Sequence, residues 1–395
     1  MFLDSRFPAC AGRRGNDKTK FMKIGIDTRP LANLSATRGI GVYTSHLVRY
    51  LKKMGVEVVE VKEGRVPEGV SLIHYPFFDL YFPTLPLIKK LPTVVTIHDV
   101  TPLVLPELYP PGIKGRIWFR LQKWSLGGVR GIITDSEVSK RDIVEQLGIL
   151  KEKVETVYLA PQDGLGETPT EKTMTVVKEK YRLPEQFVLY VGDVNMNKNL
   201  ISLVRACKQV ELPIAIVGKQ AAASNAVGTE SNSVGSIDKI GATSNVAEKI
   251  GKNINAEQID LVRLKQEFGN DPKVLRLGYV PIEELGAVYR HASLYCQPSL
   301  YEGFGVSMLE AMTCGCPVVA TKRGSLMEIG GKAAVYTEPE MEKLAKAIQF
   351  VIQLSPTQRK RLVQEGHKQA ERFSWEQTAQ QTYAVYKRAV GQEVR

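Results

Sequence analysis

The sequence of 395 residues has no long hydrophobic run. No stretch of it approaches the roughly 18 consecutive apolar residues that a membrane-spanning helix needs. Residues 1–21 contain arginines and lysines but no apolar segment like that of a signal peptide. We therefore expect a cytoplasmic protein, whose contact with a membrane, if any, is peripheral and at the inner face.

Cysteine and histidine are also scarce, with five of each. Cys314 and Cys316 lie close together, but no second C-x-x-C segment or histidine cluster stands beside them. This spacing argues against a zinc site and against a disulfide framework, and it predicts reduced and mostly buried thiols. The chain also lacks an Asp-x-Asp segment of the kind that clamps a metal ion.

Acidic residues are fewer than basic ones, 42 against 53, which gives a formal net charge of +11. Part of the excess lies in residues 1–21, with five basic and two acidic side chains. Another part lies in residues 111–130, with five basic side chains and no acidic one. Aromatic and basic residues do not alternate, and no nucleic-acid-binding motif occurs. We therefore expect no nucleic-acid partner.

Residues 111–130 have helical spacing with two stripes. The apolar stripe is Ile113, Ile117, Leu121 and Trp124, and the basic stripe is Arg116, Arg120 and Lys123. Such a helix can lie on an anionic bilayer, because basic residues near its surface are attracted to it. Alternatively, the apolar stripe packs into the core and leaves a solvated basic face. The sequence leaves both interpretations open.

The length predicts two domains, because a single core rarely extends over so many residues. Strands and helices alternate, which is typical of doubly wound parallel sheets. The predicted strands are 23–26, 94–97 and 132–134 in the first half and 188–191, 214–217, 274–277 and 293–299 in the second. We expect an N-terminal domain at 22–182 and a C-terminal domain at 183–372. Residues 1–21 are predicted to be a disordered extension, and residues 221–255 a low-complexity insertion.

Residues 299–318 carry the most chemistry, because a glycine-rich turn separates two carboxylates eight positions apart. The pattern is strand, turn and helix, with Glu302 on the turn and Glu310 inside the helix. Two carboxylates so placed can accept from hydroxyl groups at two ends of one ligand, and a helix start can hold an anion between them. Alternatively, one glutamate merely caps a helix in some other α/β protein.

The sequence E-G-F-G, the second Glu and the following A-M-x-x-G-x-P-V-V closely resemble the signature of the family 4 retaining glycosyltransferases. This resemblance implies the GT-B fold, with two Rossmann-like domains facing across a cleft, and a nucleotide-sugar donor. It implies that Glu302, Gly303, Phe304 and Gly305 hold the donor sugar and that Glu310 holds the ribose. It also implies that a last helix, 373–390, packs back on the N-terminal domain.

Further candidate residues follow other predicted strands or open a helix. The resemblance assigns donor-phosphate contact to the loop 37–41, through Gly39 and Gly41, since glycine at a helix start lets N–H groups approach a phosphate. Gly192 and Tyr279 follow strands of the second half, on the donor side. The resemblance also places Ser136, Glu137 and Lys140 at the domain cleft.

Two side chains are candidates for catalysis together with Glu302. Lys198 lies one loop after a strand, where a cation can neutralise a diphosphate leaving group. Family members often add an arginine nearby, whereas this chain has Asp193 and Asn197. His98 stands at a strand end, and the resemblance places it beside the donor sugar. Asp99 is predicted to be a cap or an orienting group.

The sequence therefore predicts a retaining glycosyltransferase that needs no cofactor and no metal. The first donor to test is GDP-mannose, and the acceptor is a hydroxyl of a glycan or a lipid-linked glycan. A protein that binds sugar nucleotides without turnover is the alternative, because the arginines are missing. A nicotinamide oxidoreductase is disfavoured, because no dinucleotide-binding fingerprint occurs.

Overall fold

The computed structural model describes residues 22–31, 39–62, 66–221 and 259–392. The predicted extension 1–21, the insertion 221–255 beyond residue 221, and Thr37 and Arg38 lie outside the described residues.

The first half forms a six-stranded parallel sheet in the order β2-β1-β3-β4-β5-β6. Its strands are β1 Lys23–Asp27, β2 Glu57–Val61, β3 Leu72–Tyr75, β4 Thr93–Thr96, β5 Gly131–Thr134 and β6 Val154–Thr156. The helices around it are α1 Gly39–Lys53, α2 Thr101–Val104, α3 Ile113–Ser125, α4 Glu137–Leu147 and α5 Glu171–Lys180. Strands β3, β4 and β5 are buried along their whole length, as expected when helices cover both faces of a parallel sheet.

The second half forms another six-stranded parallel sheet, in the order β12-β11-β10-β7-β8-β9. Its strands are β7 Val188–Val191, β8 Ile214–Val217, β9 Val274–Gly278, β10 Leu294–Gln297, β11 Val318–Thr321 and β12 Val335–Thr337. Its helices are α6 Leu200–Gln209, α7 Ile259–Phe268, α8 Ile282–His291, α9 Val306–Thr313, α10 Leu326–Gly330, α11 Met341–Ile352 and α12 Pro356–Ala370. The last helix is α13, Trp375–Ala389.

The predicted doubly wound architecture is confirmed, and the predicted strands lie within a residue or two of observed ones. The predicted turn before the first long helix is corrected, because α1 already begins at Gly39. Five of the observed strands were not predicted, namely β2, β3, β6, β11 and β12. The domain boundary at 182/183 stays a prediction.

Helix α13 lies against the first sheet although it follows the second one in the chain. Tyr386, fully buried, shares a hydrogen bond of 2.7 Å between its hydroxyl and Nδ1 of His74 in β3. The indole of Trp375 donates to the Pro161 carbonyl at 2.9 Å, and Thr378 donates to the Tyr158 carbonyl at 2.7 Å. These contacts join the end of the chain to the first half by both apolar burial and polar pairing.

Of the two interpretations that the sequence leaves open for helix α3, the one in which its apolar stripe packs into the core is wrong. Ile113, Ile117 and Trp124 are exposed, whereas Gln122 and Ser125 are buried. Gln122 donates from its amide to the hydroxyl of Thr84 at 2.8 Å and to the Asp79 carbonyl, so polar bonds anchor the inner face of the helix. No helix in the described part of the chain is both long and apolar enough to cross a bilayer.

We predict that Tyr386→Phe lowers the free energy of unfolding by about 1–3 kcal/mol, because Nδ1 of the buried His74 then loses its partner. Tyr383→Phe, in the same helix, is the matched control, and we expect it to change stability by no more than about 0.5 kcal/mol. Chemical denaturation of both variants measures the difference. Equal losses would show that the hydrogen bond to His74 contributes nothing.

Candidate active site

A cleft of about 790 Å³ lies at the carboxyl ends of the strands of both sheets. Its wall includes ten of the eleven residues predicted for catalysis or donor binding: Gly39, His98, Gly192, Lys198, Tyr279, Glu302, Gly303, Phe304, Gly305 and Glu310. The eleventh, Gly41, is buried within the first turn of α1 and is not part of the wall. Residues far apart in the chain thus meet in one cavity, whose size suits a small organic ligand.

Glu302 is the most heavily bonded side chain of the cleft and is only 7% exposed. Its Oε1 accepts from the amide of Gln297 and from the hydroxyl of Ser299, both at 2.6 Å. The ammonium of Lys198 lies 2.8 Å from both carboxylate oxygens. Oε2 therefore has one partner and retains capacity to accept from a ligand hydroxyl.

Lys198 ends a short 3-10 helix, Met196–Lys198, after β7. Burial disfavours its charge, but the adjoining carboxylate of Glu302 outweighs this effect and raises the pKa of Lys198. The ammonium is therefore a fixed positive charge on the wall of the cleft. Arg323, another cation of the second half, does not line the cleft. Its guanidinium pairs with Glu338 at 2.9 Å.

Glu310 lies in the second turn of α9 and is only 3% exposed. Its Oε1 accepts from the amide of Gln162 at 3.0 Å, and its Oε2 accepts from the hydroxyl of Tyr289 at 3.1 Å. Burial raises the pKa of Glu310, although these two donors act in the opposite direction. Gln162 belongs to the segment between β6 and α5, so Glu310 is in contact with a group from the other half, and each of its oxygens retains capacity to accept from a ligand.

Gly303 and Gly305 are glycines for different reasons. A Cβ on Gly303 would lie 2.6 Å from the Cβ of Asp99, so a side chain here would force the two halves apart. The Gly303 carbonyl accepts from Ser136 at 2.7 Å and from Ser139 at 3.1 Å. Gly305, with φ of +100°, precedes α9 in a conformation that other residues rarely adopt. The helix start consequently opens directly onto the cleft.

Glu328 of α10 makes a second bridge between the halves. Its carboxylate accepts from the backbone N–H groups of Glu137 at 2.8 Å and Val138 at 3.1 Å, at the first turn of α4. The hydroxyl of Tyr158 donates to the same carboxylate at 2.9 Å. A carboxylate at a helix N-terminus is stabilised by the unpaired N–H groups there. The side of the cleft near α4 is therefore closed by specific polar contacts.

His98, which is partly buried, pairs with the buried Asp135, which follows β5. Its Nδ1 lies 2.7 Å from Asp135 Oδ2, and its Nε2 lies 3.1 Å from the Pro76 carbonyl. Burial lowers the pKa of His98, but Asp135 outweighs burial, and the net direction is upward. Both ring nitrogens are thus engaged, and neither is available as a base. Oδ1 of Asp135 is buried and has no partner among the described residues.

The side of the cleft predicted to contact the donor phosphates combines helix starts and loops. Gly39 opens α1, Gly192 follows β7, and Tyr279 follows β9. Lys219, which follows β8, places its ammonium 5.4 Å from the ring centroid of Tyr279. Lys219 was not predicted, although its position just after Gly218 at a predicted strand end is a usable signal.

The two departures from the family pattern have different surroundings. Asp193 lines the cleft. Asn197 is buried, accepts from the hydroxyl of Tyr109 at 2.7 Å and donates to the Tyr301 carbonyl at 3.3 Å. Asn197 thus joins the loop after β7 to Tyr109 of the first half and to Tyr301.

Sequence reasoning also missed Gln162, Gln297 and Ser299. The last two precede Glu302 within five residues, so their proximity along the chain was a signal. Gln162 carried none, because its contact with Glu310 depends on how the two halves pack.

Two family models match this chain in adjoining regions. The model for glycosyl transferases group 1 matches residues 174–369, and the model for glycosyltransferase family 4 matches residues 66–160.

Similar proteins agree with these models. The O-antigen chain mannosyltransferase B of Escherichia coli is 28% identical over 305 residues, which are 74% of this chain and 70% of that protein. Other curated mannosyltransferases are matched over only 27% to 32% of their own length.

Among solved structures, sucrose-phosphate synthase from Thermosynechococcus elongatus has a TM-score of 0.69 at 20% identity, over 93% of this chain and 98% of that one. Alr3699/HepE of Anabaena, solved with UDP-glucose, has a TM-score of 0.65 at 18% identity, over 93% of this chain and 100% of that one. The chain is therefore a glycosyltransferase of the GT-B fold and belongs to the family 4 (group 1) glycosyltransferases.

Proposed function

We propose that this glycosyltransferase moves a hexose from a nucleotide-diphosphate sugar to a hydroxyl of a glycan or a lipid-linked glycan, with retention of configuration. The observation that carries the proposal is the pair of buried carboxylates, Glu302 and Glu310, on the wall of one cleft with the helix start between them. A ligand with a sugar at each end and an anion in the middle matches this arrangement. Carboxylates accept from the sugar hydroxyls, and the N–H groups of α9 face the diphosphate.

The proposed chemistry needs no protein nucleophile. The leaving phosphate and the acceptor hydroxyl act on the same face of the sugar, and the protein supplies position and charge. Lys198 stabilises the charge that grows on the diphosphate, and Glu302 holds the donor sugar. His98 and Asp135, joined by a hydrogen bond, fix the wall beside the reacting carbon.

Mannose from GDP-mannose is the first donor to test, because a relative that matches 74% of this chain is a mannosyltransferase. A panel of GDP- and UDP-linked hexoses, with and without EDTA, tests the donor and the expected independence from metals. Product anomers read by NMR test retention. Binding of a donor without transfer to any acceptor or to water would favour the non-catalytic alternative.

We predict that Glu310→Gln weakens nucleotide binding by roughly 1.5–3 kcal/mol, because it loses the charged acceptor of the ribose hydroxyls. Because the folded pKa of Glu310 is raised, ionisation disfavours the folded state as pH increases, and the variant removes this penalty. Its stability at neutral pH should therefore equal or exceed that of the parent. Calorimetric titration and thermal unfolding measure both effects, and unchanged nucleotide affinity would contradict the ribose contact.

We predict that Lys198→Ala lowers turnover more than it weakens donor binding, because the charge Lys198 meets is larger in the transition state. The variant also leaves Glu302 unpaired, which can destabilise the fold by about 3–5 kcal/mol. The double variant Lys198→Met, Glu302→Gln removes both charges and therefore the cost of an unpaired carboxylate. Lys198→Arg keeps a positive charge next to Glu302. Full turnover in folded Lys198→Ala would assign the role to another cation, with Lys219 next to be tested.

We predict that Asp135→Asn lowers the pKa of His98, because burial then acts without the opposing carboxylate. In the parent, the raised folded pKa adds stability that is fully present below the unfolded value of about 6.5 and is lost as pH rises through the folded pKa. Ring resonances followed by NMR report the titration. His74, whose pKa burial lowers to about 3, is the internal control that stays neutral. An unchanged pKa of His98 in the variant would show that Asp135 does not stabilise the protonated ring of His98.

A further inference from the structure

Helix α3 presents its apolar stripe to solvent instead of to the core. Ile113 is 82% exposed, Trp124 is 66% exposed and Ile117 is 54% exposed. The opposite face carries Gln122 and Ser125, which are both buried. Gln122 donates to the hydroxyl of Thr84, outside the helix, and the hydroxyl of Ser125 donates to the Gln122 carbonyl within it. The apolar face of the helix thus points to solvent and its polar face points to the domain. Folding of the domain alone does not explain this orientation.

A second exposed apolar segment packs beside α3. Residues 82–90 contain Phe82, 66% exposed, and Ile88, 79% exposed. Gln122 bonds the hydroxyl of Thr84, and Lys89 donates to the Ser125 carbonyl, so this segment and α3 form one continuous surface. We call α3 and residues 82–90 together the α3 surface.

The charge of the α3 surface has one sign. No acidic residue occurs in residues 80–98 or 108–134. The exposed side chains of Lys90, Lys114, Arg116, Arg120 and Lys123 surround the apolar ones. Basic residues flanking exposed aromatic and aliphatic side chains are typical of surfaces that enter the headgroup region of an anionic bilayer.

We propose that the α3 surface docks peripherally on anionic lipid bilayers. A partner protein would need both negative charge and apolar pockets in matching positions. An anionic bilayer supplies negative headgroups and an apolar interior to any surface of this kind. The α3 surface also lies near the cleft, so that a bilayer docked on it would bring the hydroxyl of a lipid-linked acceptor close to the cleft. Phe78 lines the cleft, and the four residues from there to Phe82 span at most about 14 Å. The docking inference does not depend on the identity of the donor.

Co-sedimentation with vesicles tests the proposal. We expect the full chain to bind phosphatidylglycerol vesicles at low salt, to release as salt is raised, and to bind phosphatidylcholine vesicles weakly. Arg116→Glu, Arg120→Glu, Lys123→Glu in one variant should reduce partitioning by about tenfold or more, because each basic residue near the surface adds to the attraction. The control variant Lys343→Glu, Lys346→Glu, Lys360→Glu changes the net charge equally on the other half and should bind like the parent.

Two further variants test the apolar part of the surface. Ile113→Ser, Ile117→Ser should weaken binding at every salt concentration, while donor hydrolysis in solution stays unchanged. Tryptophan emission should shift to the blue on binding, and Trp124→Phe should reduce that shift.

Three outcomes would overturn the proposal. The first is failure of the parent to bind anionic vesicles at low salt, and the second is an equal loss of binding in the control variant. The third is a stable dimer in sedimentation velocity that Ile117→Asp dissociates, since the surface would then join two copies of this chain.

Discussion

The rest of the site depends on one buried charge, the carboxylate of Glu302. Leaving such a carboxylate unpaired away from water costs several kcal/mol, so its donors must be in place when the chain folds. Those donors come from Gln297, Ser299 and Lys198. Because Lys198 follows β7 and Gln297 ends β10, the carboxylate joins the loops of two strands that are neighbours in the sheet. The turn that carries Glu302 thereby acquires a fixed shape.

That same turn is where the two halves meet. The carbonyl of Gly303, one residue after the buried charge, accepts from Ser136 and Ser139 at the start of α4. A ligand that draws Lys198 away from Glu302 therefore acts on the segment that also holds the halves together. The proposed donor binding at Glu302 would therefore be coupled to the relative position of the halves, because Glu302 and Gly303 are adjacent in this turn.

The sequence predicted the architecture well and the electrostatics of the site only in part. Strands ending at Thr134, Val191 and Val217 could be located because apolar runs and the residues after them mark strand ends, and the glycines around Glu302 marked the turn. The contact of Gln162 with Glu310 could not be predicted, because it joins residues 148 positions apart through packing of the halves. Helix α3 was ambiguous for a related reason. Periodicity shows that a stripe exists, but the side that faces the domain is decided by Gln122 and its partners.

The described wall of the cleft contains more acidic than basic side chains. Asp99, Asp135, Asp193, Glu302 and Glu310 line it, against Lys198 and Lys219. Long-range attraction is thus a weak explanation for binding of the proposed diphosphate. The remaining positive partners are backbone N–H groups at the starts of α1 and α9, where Gly39 and Gly305 leave the approach open. Such groups bind an anion through short directional contacts, which the acidic side chains of the wall do not cancel. Because Asp193 and Asn197 add no positive charge here, the proposed recognition of a diphosphate would rest mainly on these backbone groups and on Lys198, which already pairs with Glu302.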